Sequence, residues 1–128
     1  MKPELQLLVW SVLLAFVQML LAVQGAMGQV GLIPLLGNRE GMSEIKGWGG
    51  RAVRAHRNML ESLLLFAALV LIVAVTGKNN NMTLLGAQLF FWGRVAYAAI
   101  YLAGVSYLRT AAWAVSVIGL ALIFVQLV

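Results

Sequence analysis

Between Arg51 and Asn81 the chain reads RAVRAHRNMLESLLLFAALVLIVAVTGKNNN. Its opening carries Arg51, Arg54, His56, Arg57 and Asn58, and the run from Met59 to Thr76 is then apolar except for Glu61, Ser62 and Thr76. A helix that crosses a bilayer needs about 20 mostly apolar residues. The run has that scale, lacks the strict alternation of a strand, and stops at Gly77-Lys78-Asn79-Asn80-Asn81. A basic entrance, an apolar rod and a polar stop predict a transmembrane helix.

Three more runs of this kind flank it: Leu5 to Gln24, Leu84 to Val105, and Ala111 to Val128. Pro3 stands where a helix can start, since its fixed φ and missing N–H are harmless there. The N-terminal run is longer than the 7–15 apolar residues, roughly, of a secretory signal, so it reads as a span. Composition agrees. The 128 residues are 62% hydrophobic and 10% charged, against about 25% charged in a soluble domain. This excludes an ordinary soluble domain and a disordered chain. The expected fold is an all-α integral membrane protein, one four-helix domain over residues 1–128, with a long connection over about 25–58. With no cysteine and one histidine, neither disulfides nor a metal site is expected. The net charge of +5 belongs to the membrane edge rather than to nucleic acid.

Lysine and arginine set the orientation. The first connection carries Arg39, Lys46, Arg51, Arg54 and Arg57, the third carries Arg109, and the second only Lys78. Connections one and three are therefore expected on the cytoplasmic side, with both termini opposite. Trp48 marks an interface.

Ionisable residues inside apolar runs are expensive, about 2.5–3.5 kcal/mol each at a helix centre. Glu61 and Arg94 are two such residues, and the simplest expectation is that they meet across the bundle. Arg51, Arg54, Asn58 and Glu61 are spaced three, four and three apart and so share one stripe; Arg57 borders it. Arg94, Tyr97 and Tyr101, spaced three and four, form a second stripe. From Arg54 to Glu61 is about 10 Å of helix. Such a column suits an elongated, anionic, hydrogen-bonding ligand, because arginine forks pair with carboxylates. Each residue also has a plainer reading. The arginines serve as positive-inside anchors, the tyrosines as packing, Asn58 as an interhelical donor, and Glu61 with Arg94 as a register pair. His56 falls opposite Arg54 and points towards another helix or the headgroups.

Arg54-Ala55-His56-Arg57-Asn58-Met59-Leu60-Glu61, followed by Phe66, resembles the second-helix motif of the MAPEG family, the membrane-associated proteins in eicosanoid and glutathione metabolism. Arg94-Val95-Ala96-Tyr97, then Tyr101 and Arg109, resembles its third-helix motif. The motif placement is similar to that of the prostaglandin E synthase branch and suggests a bacterial-type member. The resemblance implies a homotrimer that binds glutathione between subunits, opening towards the cytoplasm. It implies that Arg54, Asn58 and Glu61, helped by His56 or Arg57 and completed by Tyr97 and Tyr101, hold the ligand. Arg51 and Arg94 belong to the same stripes. It implies that Arg109 stabilises the ionised thiol, with Thr110 where that branch has a serine. Two departures stand out. Gly28-Gln29-Val30 is followed by no cationic cluster, a contact for which Arg39 is the substitute, and the spacing from Tyr101 to Arg109 differs by one residue between branches.

A protein without cysteine needs a carried thiol for thiol chemistry. A free thiol, with a pKa of about 8.5, is mostly protonated at neutral pH, and a nearby cation lowers that value. The expected activity is a glutathione-dependent transferase or peroxidase acting on hydrophobic electrophiles or lipid hydroperoxides from the bilayer. A non-catalytic lipid-binding member of the same fold is the main alternative. A small multidrug transporter is a distant one, because Leu5 to Gln24 contains no carboxylate to carry protons.

Overall fold

A computed structural model describes residues 2–30 and 47–128. Arg39, Lys46 and the turn-rich stretch around them lie outside the described residues. Among the described residues there are four helices: α1 (Pro3–Val30), α2 (Gly47–Thr76), α3 (Asn81–Ala103) and α4 (Ser106–Leu127). The expected spans are all helical, and each helix begins before its apolar run does. α1 continues through Gly25 and Gly28, and α2 starts at Gly47, so the connection placed over 25–58 is helical at both ends. By length and apolarity Pro3–Gly28, Gly47–Thr76 and Ser106–Leu127 can each cross a membrane. α3 is long enough but less apolar, since Gln88, Arg94 and two tyrosines interrupt it.

Local signals explain the ends. α2 stops at Gly77, whose φ of 70° suits glycine and whose N–H bonds to the Val73 carbonyl at 3.0 Å. Asn80 caps α3: its side chain accepts from the Thr83 N–H at 2.8 Å, and the Thr83 hydroxyl accepts from the Asn80 N–H at 2.9 Å. α3 ends at Gly104, and two residues later the chain is in α4.

α1 packs chiefly on α2, and α3 chiefly on α4. Small residues mark both crossings. A Cβ on Gly25 would lie 2.5 Å from the Gly49 Cα, and one on Gly86 would lie 2.6 Å from the Gly119 carbonyl oxygen. The backbones meet there because glycine has no side chain to hold them apart. The two pairs join over a core that includes Met59, Val70, Ala87 and Ile123, with Phe66 stacked on Phe90 at 4.1 Å between ring centroids. Away from this seam the helices present leucine, valine and phenylalanine outward, as lipid requires.

A polar clasp closes the end of the bundle that holds the α2–α3 turn. Glu4 is buried, and its carboxylate accepts from the Thr83 hydroxyl at 2.9 Å and from Asn79 Nδ2 at 3.2 Å. Asn80 Nδ2 donates to Gln126 Oε1 at 2.8 Å. Four helix ends are thereby tied together. Glu4→Ala removes the acceptor of the half-buried Asn79 Nδ2 and one of the two acceptors of the Thr83 hydroxyl, which keeps the Asn80 carbonyl at 2.8 Å. The expected cost is about 1–3 kcal/mol, seen as a lower thermal unfolding midpoint in detergent. An unchanged midpoint would mean that the clasp carries no net stability.

Candidate functional site

The opposite end of the bundle holds the basic residues. Ala55 and Ala112, both buried, leave room between α2 and α4 for two rings from α3, Tyr97 and Tyr101. The rings lie 5.4 Å apart. Tyr101 gathers two arginines. Arg54 Nε donates to its hydroxyl at 3.2 Å, and the Arg109 guanidinium sits 4.6 Å from its ring centroid. Tyr97 carries Arg94 on its face in the same manner, at 4.2 Å.

Beside these rings Asn58, Tyr97, Arg109, Thr110 and Trp113 line an open cavity of about 190 Å³. Residues from α2, α3 and α4 thus converge on one space. Two groups around it are chemically unfinished. Arg94 is 1% exposed, and none of its three guanidinium nitrogens has a hydrogen-bond partner among the described residues. Asn58 Oδ1 is likewise buried without one. A buried cation without a partner is costly, and Arg94, which does not itself line the cavity, lies against the Tyr97 ring that does.

Other candidates lie elsewhere. Glu61 is exposed on the flank of α2 and does not reach Arg94; the expected pairing across the bundle is not made within the chain. Both residues keep their helical spacing, but the rotation of α2 turns Glu61 outward while that of α3 turns Arg94 inward. Arg51 is turned to the end of α3, where its Nε donates to the Leu102 carbonyl at 3.1 Å. His56 and Arg57 face a second cavity, about 390 Å³, between α2 and the Met19–Ala26 part of α1. The Thr110 hydroxyl lies 3.4 Å from the Ser106 carbonyl, to which it donates. Arg39 is outside the described residues.

Sequence reasoning missed Trp113. It stands four residues after Arg109 and therefore on the same face of α4, a signal present in the sequence. Below it, Val117, Leu120, Ala121 and Phe124 of α4 face Leu65 and Leu69 of α2 across an apolar groove of about 450 Å³.

No curated protein matches the chain. The MAPEG family model matches residues 7–128. That span takes in both motif helices and every side chain around the Tyr97–Arg109 cavity, and on this match the chain, an integral membrane protein of four helices, belongs to the MAPEG family.

Proposed function

We propose that the protein is a glutathione-dependent transferase or peroxidase whose site is the Asn58–Tyr97–Arg109 cavity. The observation that carries this reading is the meeting of three helices' polar residues around one space, with the unpartnered Arg94 buried behind Tyr97. A small peptide with two carboxylates and two amides fits those donors and the orphaned Asn58 Oδ1. Arg54, Asn58, Arg94, Tyr97 and Tyr101 would hold it. When bound, glutathione supplies the thiol that this cysteine-free chain lacks.

The chain's own residues then do electrostatic work. Arg109 is held by stacking on Tyr101, and a fixed cation beside sulfur favours the ionised form. Thr110 adds a hydroxyl one residue further. Trp113 and the apolar groove below it offer a surface for a hydrophobic electrophile or lipid hydroperoxide arriving from the bilayer. His56 and Arg57 face away from this cavity. For them to serve the same ligand a neighbouring subunit must bring them to it, as in the homotrimer that the family resemblance implies. The arginine-rich end is the one expected on the cytoplasmic side.

Calorimetric titration of glutathione into the purified protein in detergent tests the binding claim. Saturable binding is expected, and Arg54→Ala should weaken it by about tenfold, the loss of one charge-assisted hydrogen-bonding partner. Absence of binding to the unmutated protein would reject the glutathione reading and favour a lipid-binding role for the same fold.

A further inference from the structure

We propose that Arg51 is a positioning residue that locks the α3–α4 corner and so sets the direction of Arg109, rather than a ligand-binding arginine. The assignment of sulfur to Arg109 rests on the function proposed above; the corner itself does not.

A helix leaves its last four carbonyls without intrahelical partners. At the end of α3 the backbone satisfies two of them. The Gly104 N–H bonds to the Tyr101 carbonyl at 3.0 Å, and the Val105 N–H to the Ile100 carbonyl at 3.3 Å. This is the paired arrangement that a left-handed residue permits, and Gly104, at φ 82° and ψ 15°, is that residue. Leu102 and Ala103 are left over. The Leu102 carbonyl is taken by Arg51 Nε at 3.1 Å, from a helix 51 residues away in sequence. The same guanidinium covers the corner: its Cζ and Nε would both stand 3.7 Å from a Cβ built on Gly104. A cation at this point also faces the negative end of the α3 dipole.

The corner matters because no capping side chain fixes the start of the next helix. Val105, the residue before α4, makes no side-chain capping bond. α4 starts at Ser106, and Arg109 follows within its first turn. The packing of α4 on α3 and the turn at Gly104 and Val105 together set the direction in which Arg109 leaves the corner, and the one long-range side-chain bond described at that corner is Arg51's. Arg51 is not among the residues lining the Asn58–Tyr97–Arg109 cavity. It shares a helical stripe with Arg54 and Asn58, yet its hydrogen bond goes to the frame of the site.

Amide hydrogen exchange and glutathione titration on the detergent-solubilised protein, for Arg51→Met and Arg51→Lys, test this. Arg51→Met should speed exchange at the Gly104 and Val105 amides by about tenfold, and Arg51→Lys should restore part of the protection. Glutathione affinity should stay within about twofold in both. The pKa of the bound thiol should rise by about half a unit or more in Arg51→Met and recover in Arg51→Lys. Unchanged exchange at Gly104 and Val105 in Arg51→Met overturns the corner lock. A tenfold loss of affinity, about 1.4 kcal/mol, overturns it by making Arg51 a ligand residue. Faster exchange with an unmoved thiol pKa overturns the coupling to Arg109. If the unmutated protein binds no glutathione, the proposed function fails, while the exchange result still supports or overturns the corner lock on its own.

Discussion

Arg109→Gln is expected to raise the pKa of bound glutathione's thiol by about one to two units, with binding nearly intact. One unit is about 1.4 kcal/mol, so conjugation of a test electrophile at neutral pH should slow by about ten- to a hundredfold. The reason lies in how the two arginines are held. Arg54 hydrogen-bonds the Tyr101 hydroxyl, while Arg109 stacks on the ring and reaches the cavity with Asn58 and Tyr97. Arg54 is thus set to bind, and Arg109 to act where charge develops. Arg109→Lys should keep part of the effect, since it retains the charge but loses the planar stack. If the Lys and Gln variants both leave thiol ionisation and turnover unchanged, Arg109 is only an anchor at the membrane edge.

Gly119→Ala is expected to destabilise the bundle by about 3 kcal/mol, the upper end of the usual range for overpacking. A Cβ there would strike the Gly86 carbonyl and lie 2.7 Å from the Phe90 nitrogen. Those are backbone atoms in a helix, which cannot step aside as a flexible side chain can. Gly28→Ala is the contrasting case: a Cβ there meets nothing within 4 Å. It should be neutral or stabilise α1 by about 0.5–1 kcal/mol, as helix propensity dictates. Equal effects of the two substitutions on the unfolding midpoint in detergent would refute the close α3–α4 crossing.

Apolar run length was enough to read four helices, because lipid forces every backbone group to pair within its own segment. It placed the ends less well. α2 begins at Gly47, well before its apolar run, because the polar turns from Gly49 to Asn58 pack on Gly25 and reach the end of α3. α4 begins at Ser106 rather than near Ala111, because Gly104 reverses the chain in a two-residue corner. Helical spacing puts Arg54 and Asn58 on one stripe of α2, and in the structure Arg54 meets Tyr101 while Asn58 lines the cavity with Tyr97. Spacing cannot say how far each helix is rotated about its own axis against its neighbours. That rotation separates Glu61 from Arg94, sends Arg51 to the Leu102 carbonyl, and turns His56 and Arg57 towards α1. Glu4 is a related case. Nothing in the N-terminal sequence signals that it is buried against Asn79 and Thr83, which are remote in sequence.

The central claim is that this cavity ionises a carried thiol. Ultraviolet absorbance of the ionised thiol, followed against pH on protein saturated with glutathione, tests it most directly. With Arg109 beside sulfur, the titration midpoint should fall at least about one unit below the value of about 8.5 for a free thiol, raising the ionised fraction at neutral pH severalfold. A midpoint at or above that free-thiol value, with glutathione demonstrably bound, would contradict the account.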